Sequence, residues 1–376
     1  MAQEFDKYQL SESEHDRIYR QIEARYLAKS SQQDQPIAII TGGQPGSGKS
    51  GLTAIAKERF AEQGGYVLLD ADILRGRHPA YHSLRLVDEK NAANYTHKDA
   101  GMWAMKLKEA AMSGRRNLVI DQTSRDAASV ERLTKQLKDG GYVVEFHILA
   151  VNPMISEQRA YLRYEREKAA TGYGRFVTKD VHDSAYSGLE ASLFAVESKK
   201  LADAISFYDN KLAKVFDFYL VNGIWLGGDS ASKVFSNIRG NKLSIDEKVT
   251  LANGYVELSG LVKGRIKSSN DIDAIEDYKN AERLRIMAKW DLVRDAFELP
   301  SSDIGRLVKV DALADYKDFL VDAARFKEAK SNAVSQLPNN RVAQVNMLDQ
   351  VFSSIIKSRE PMAHELYTSK ENYLSR

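Results

Sequence analysis

The chain contains no cysteine, which excludes disulfides and thiolate-held metals and suits a reducing compartment. Neither sign of charge is in excess, with 54 Lys and Arg against 52 Asp and Glu. That balance argues against nucleic acid or an anionic membrane as the main partner. No apolar run approaches the roughly 20 residues needed to span a bilayer. The opening MAQEFDKYQL has neither the basic nor the apolar region of a signal peptide, so a cytoplasmic protein is expected. The 376 residues are 43% hydrophobic, enough for a sizeable core and about two domains.

Ser11 followed by Glu14 is a capping-box pattern, and Ile18, Ile22, Tyr26 and Leu27 then share a face. A leading helix and a polar linker are expected over 1–35. From Pro36 the pattern changes. Short apolar runs at 37–40, 66–69, 118–120, 142–151, 204–208 and 214–220 read as strands. Helical patterns lie between them at 49–62, 81–94, 97–113, 126–139, 153–171 and 178–202. This alternation predicts an α/β domain over 36–228, a parallel sheet flanked by helices. Ligands of such sheets bind beyond the carboxyl ends of the strands, here after Ile40, Leu69 and Ile120. Gly227-Gly228-Asp229-Ser230 reads as a boundary. Helical patterns at 246–266, 271–297, 311–334 and 340–358 predict an all-α domain over 229–376, with no metal or catalytic signature.

Gly43-Gln44-Pro45-Gly46-Ser47-Gly48-Lys49-Ser50 fits the phosphate-loop pattern G-x-x-x-x-G-K-[ST] between a strand and a helix. Backbone N–H groups must converge on phosphate oxygens there, so side chains must be absent where the chain approaches closely. Lys49 supplies a point charge to the β- and γ-phosphates, and Ser50 can ligate Mg²⁺. The helix that follows turns its positive end to the same anion. No N-K-x-D guanine signature is present, which favours ATP.

Asp70 and Asp72 follow the second strand. A carboxylate near the transferred phosphoryl group can accept the proton of an attacking hydroxyl. Asp also caps helices well, and on the residues alone both readings stand. Asp121 ends the third strand as in a Walker B element, suited to Mg²⁺ or substrate, with Thr123 and Arg125 beside it. Phosphoryl transfer also needs positive charge around the migrating group. Arg159, Arg163 and Arg166 lie on one predicted helix, and Arg175 lies in the glycine-bearing stretch after it.

Together these segments resemble the zeta toxin family of bacterial toxin–antitoxin systems over about 36–222. The resemblance implies a P-loop kinase fold and ATP-dependent phosphorylation of a sugar hydroxyl of UDP-N-acetylglucosamine, toxic by blocking cell-wall synthesis. ATP and Mg²⁺ are the implied cofactors, and a protein antitoxin is an implied partner. By the match Asp72 is the base, and Arg163 and Arg175 contact phosphate. Asp121, Thr123, Arg125 and His78, of His78-Pro79, fall to the acceptor side. Asn210, in Tyr208-Asp209-Asn210, borders the adenine. Two departures concern the acceptor: Asp121 replaces a family Glu, and Ala104 stands where the family has a second Glu. Other acceptors of a like kinase are a nucleotide, a dinucleotide or an antibiotic. A nucleotide-regulated binding module is the reading from another class. The helical C-terminal domain is open between an inhibitor acting in cis and a stabilising or partner-binding appendage.

Overall fold

A computed structural model describes residues 6–268, 272–296 and, with several positions excepted, 304–354. The chain divides into two units, Met1–Lys242 and Leu243–Arg376.

The first unit is built on one sheet. β1 (Ile37–Gly42) lies between β3 (Leu118–Ile120) and β4 (Val143–Leu149), with β2 (Val67–Leu69) beyond β3 and β5 (Ala204–Tyr208) beyond β4. These five strands are parallel. β6 (Lys214–Val221) and β7 (Ile224–Leu226) extend the sheet antiparallel. The expected parallel sheet flanked by helices holds for the first five strands, whereas the strand expected at 214–220 runs antiparallel, because it returns from β5 through a short turn. β7 was not expected, although the sequence carries its signal. Asn222 and Gly223 take φ of 50° and 75°, the left-handed pair that a two-residue hairpin requires.

Alternation along β1 feeds two cores. Ile39 faces Val119 and the buried Ala56 and Phe60 of α2 (Lys49–Phe60). Ala38 and Ile40 face the other side, with Trp103 and Leu107 of α6 (His97–Ser113) and Leu189 and Leu193 of α9 (Lys179–Ser198). α1 (Glu12–Leu27) joins that second core through Ile18, Ile22 and Tyr26. Between β2 and α6 run α3 (Ala71–Arg75), α4 (Tyr81–Val87) and α5 (Ala92–Tyr95). The single helix expected over 81–94 is thus two. Asp88 closes α4 and instead accepts from the side chains of Asn91 and Tyr95. α7 (Ala127–Asp139) leads into β4, and α8 (Pro153–Thr171) leaves it.

α10 (Ala231–Gly240) lies past the boundary expected at 229, yet it belongs to the first unit. Phe235 is fully buried 5.4 Å from the Phe207 ring. Arg239 is 2% exposed and sits over the Tyr186 ring of α9 at 3.2 Å. The second unit contains α11 (Ile245–Ser268), α12 (Ile272–Ala296) and α13 (Lys317–Gln336). Ser244 and Glu247 close a reciprocal capping box at the start of α11,. The order of the ion pairs Lys248–Asp295 and Arg265–Asp277 is that of two antiparallel helices, α11 and α12. No strand occurs among this unit's described residues. The pattern at 340–358 falls largely outside the described residues.

Candidate functional site

The carboxyl ends of β1, β2 and β3 bring together the three sequence segments singled out for chemistry. β1 runs into the loop Gly43–Ser50. Gly46 has φ of 79°, and a Cβ there would stand 1.9 Å from the Ser156 carbonyl oxygen. Only glycine fits both demands. Gly48, with φ of 101°, faces open space and begins α2 with no side-chain cap. The first N–H groups of a helix have no intrahelical acceptor, so this end offers them, with the helix dipole, to an anion. Gln44 is fully buried and donates to the Val151 carbonyl and to Ser156 Oγ, each at 3.0 Å. Pro45 is half-buried beside it and Ser47 is buried against Gly43, while Ser50 is exposed. Lys49 folds back over the loop, and its Nζ donates to the Gly43 carbonyl at 3.0 Å.

β2 delivers the two aspartates. Asp70 caps α3, its Oδ1 accepting from the N–H of Asp72 at 2.8 Å and of Ile73 at 3.2 Å. Asp72 is exposed, and its Oδ1 accepts from the Arg75 guanidinium at 2.5 Å. β3 delivers Asp121, whose Oδ1 accepts from the Thr41 hydroxyl at 3.3 Å. The Asp121 N–H donates to the Leu69 carbonyl at 2.9 Å and so ties the ends of β2 and β3 together. Thr123 offers its carbonyl to the Gly43 N–H at 3.4 Å. Arg125 is exposed, and its backbone is so close to Gly188 of α9 that a Cβ there would meet the Arg125 carbonyl at 2.1 Å.

The basic residues arrive from α8 and the segment after it. Arg163 is half-buried, and its Nε finds no hydrogen-bond partner among the described residues. Arg175 is clasped by Glu167, which accepts from its backbone N–H at 2.9 Å and from its guanidinium at 3.2 and 2.9 Å. Asn210 gives its carbonyl to Arg159 at 3.3 Å. Its neighbour Leu212 lies on Gly51 in the first turn of α2, so this loop borders the phosphate loop.

The charges act on one another. Burial lowers the Lys49 ammonium below its ordinary value; Asp121 opposes this, Arg163 adds to it, and Asp72 and Asp70 oppose it. Burial raises the Asp121 carboxyl, with Lys49 and the Thr41 hydroxyl pulling the other way and Asp72 adding to the rise. Burial, and next the charge of Asp121, raise Asp70. Burial and the charge of Arg175 lower Arg163, against Glu167 and Asp72. Asp72 therefore lies within electrostatic reach of Lys49, Arg163 and Arg175 together.

His78 does not join them. It is 3% exposed, and both ring nitrogens are engaged inside the protein. Nδ1 accepts from the Ala80 N–H at 3.2 Å, while Nε2 reaches the Tyr8 carbonyl at 3.2 Å and Asp99 at 3.3 Å. His78 fastens the segment after α3 to the chain preceding α1, and it has no nitrogen left for an acceptor. Thr41 and Glu167 escaped the sequence reading. Glu167 had a signal, because it stands one helical turn after Arg163.

Among the described residues no group of three or more His, Cys, Asp or Glu gathers as a metal site, and no helix is long and apolar enough to cross a membrane.

Comparison with known proteins bears on the whole arrangement. A family model described as zeta toxin matches residues 23–219. Toxin PezT of Streptococcus pneumoniae serotype 4 (strain ATCC BAA-334 / TIGR4) is 30% identical over 215 residues, 57% of this chain and 83% of that protein. Toxin zeta of Streptococcus agalactiae is 28% identical over 206 residues, 54% of this chain and 69% of that protein. Among solved structures, one from a study of the PezAT chromosomal toxin–antitoxin system of Streptococcus pneumoniae superposes with a TM-score of 0.59 at 25% identity. It covers 68% of this chain and 98% of that one.

Proposed function

The chain belongs to the zeta toxin family, and from that premise we propose that it is an ATP-dependent kinase. In this reading it phosphorylates a hydroxyl of a small acceptor, UDP-N-acetylglucosamine or a related nucleotide-linked sugar. One observation carries the proposal: Lys49, at an uncapped helix end behind a glycine loop, feels the charge of Asp72, and Asp72 in turn acts on Arg163 and Arg175. A site that only binds nucleotide has no need of Asp72, Arg163 and Arg175.

In this mechanism the phosphates of ATP lie on Gly43–Ser50. Lys49 exchanges the Gly43 carbonyl for the β- and γ-phosphates. Two buried polar atoms of this loop, Gln44 Oε1 and Ser47 Oγ, have no hydrogen-bond partner among the described residues. Ser50 and Asp121 are the oxygen donors that would hold Mg²⁺, which takes one or two protein ligands beside phosphate and water and would neutralise phosphate charge there. Asp72 accepts the proton of the attacking hydroxyl. Arg163 and Arg175 balance the charge on the transferred group. Asp121 and Thr123 orient the acceptor, Arg125 lies at the rim on that side, and Asn210 borders the adenine.

A protein antitoxin is the proposed macromolecular partner, in keeping with the toxin–antitoxin system of the structural relative. The proposed cellular effect is a block of cell-wall synthesis. The deciding experiment incubates labelled ATP with UDP-sugars, dinucleotides, nucleotides and antibiotics, and identifies products by mass spectrometry. Wild type should yield one phosphorylated acceptor and Lys49→Ala none. No product from any acceptor with wild type would sink the kinase reading.

A further inference from the structure

A single file of hydrogen bonds runs from the surface to the underside of the phosphate loop. Asp183 Oδ1 stands 3.0 Å from His182 Nδ1. His182 Nε2 stands 2.9 Å from Ser156 Oγ. Ser156 Oγ accepts from Gln44 Nε2 at 3.0 Å. His182 is 2% exposed, and Ser156 and Gln44 are fully buried. For a neutral imidazole the protons take one order. A carboxylate only accepts, so the neutral imidazole carries its proton on Nδ1 and leaves Nε2 as an acceptor. The Ser156 hydroxyl donates to Nε2, which turns its lone pairs to the Gln44 amide. Without His182 the hydroxyl has carbonyls of its own helix to choose from, Pro153 at 3.0 Å and Asn152 at 3.3 Å.

We propose that His182 and Ser156 are positioning residues for nucleotide binding, which hold the phosphate loop in its anion-binding shape through Gln44. The inference rests on the kinase reading. Ser156 touches the loop a second time, since its carbonyl leaves no room for a Cβ on Gly46. Asp183, which also pairs with Lys179 at 2.6 Å, fixes the tautomer from outside.

The test measures the dissociation constant of Mg·ATP for the full chain, with thermal midpoints in parallel. One net hydrogen bond sets the scale at roughly 3- to 10-fold. His182→Ala and Ser156→Ala should each weaken binding by about that factor, and the double variant should lose no more than either single one. His182→Gln, which returns an acceptor near the Nε2 position, should restore binding, and His182→Asn should not. Asp183→Ala, a surface change that removes the acceptor and leaves the core intact, should weaken binding about 3-fold. Unchanged affinity in folded single variants, or additive losses in the double variant, would overturn the inference. If His182→Ala and Ser156→Ala do not fold, unchanged affinity in both His182→Asn and Asp183→Ala overturns it. Failure of the wild type to bind ATP would count against the kinase reading itself.

Discussion

Asp70 caps the short helix that carries Asp72, accepting the Asp72 N–H at 2.8 Å. The two aspartates of one D-x-D segment therefore do different work. Asp70 turns its oxygen to the backbone and sets the direction of α3, and Asp72 stays exposed among Lys49, Arg163 and Arg175. Asp72→Asn should lower phosphoryl transfer by about 10² to 10⁴ with ATP affinity and thermal midpoint nearly unchanged. Asp70→Ala should cost about 1 kcal/mol of stability. Normal turnover by Asp72→Asn would remove it as the base.

Two glycines of the phosphate loop should respond differently to alanine. At Gly48 the cost is backbone strain alone, about 1–2 kcal/mol, because nothing stands within 4 Å of the added methyl. At Gly46 the methyl meets the Ser156 backbone at 1.9 Å, so the loop or α8 must move. Gly46→Ala should abolish ATP binding and lower the melting point further than Gly48→Ala. Equal melting points in the two variants would contradict the close contact.

Glu145 on β4 links the sheet to the C-terminal turn of α2. Burial would raise its carboxyl, yet hydrogen bonds from His147 and Arg59, with their charges, prevail and hold it at about 2 against an ordinary 4.5. A depressed carboxyl stabilises the fold above its unfolded value and loses that contribution as pH falls through its folded value. The contribution, on the order of 3 kcal/mol, is full above about pH 4.5 and lost toward pH 2. Urea unfolding across this window should show a shallower pH dependence in Glu145→Gln than in wild type.

Truncation should reveal where the first unit ends. A chain stopping at residue 234 loses Phe235, fully buried against Phe207, at a cost of about 3–5 kcal/mol. A chain stopping at Lys242 keeps it and should melt near the first unit's own midpoint. The longer truncation also tests inhibition in cis. If it gains neither kinase activity nor toxicity over the full chain, the helical unit is no inhibitor.

Much of this was legible in sequence where signals are local. The phosphate loop declares itself in eight consecutive residues, and the alternation of apolar runs with helical periods gave the parallel sheet. The residues that proved harder depend on partners far along the chain. His78 looked available because nothing near it reveals Asp99 or Tyr8. On the residues alone Asp70 and Asp72 could not be separated, because a cap and a base carry the same side chain, and only the family resemblance pointed to Asp72. α10 was assigned beyond the boundary because the glycines at 227 and 228 resemble a linker, while its aromatic partner Phe207 lies on β5.

The strand order also governs when the site can exist. Ile39, just ahead of the phosphate loop, pairs with Val119 on one side and Glu145 on the other. Ser156, Arg163, Arg175 and His182 come later still in the chain. Contacts so distant in sequence form late, and a chain emerging from the ribosome cannot make them until those segments follow it out. A nascent chain released short of α9 therefore carries a complete phosphate-loop sequence without the walls that shape it. Such fragments are expected to lack kinase activity, which confines any hazard to chains synthesised past that point.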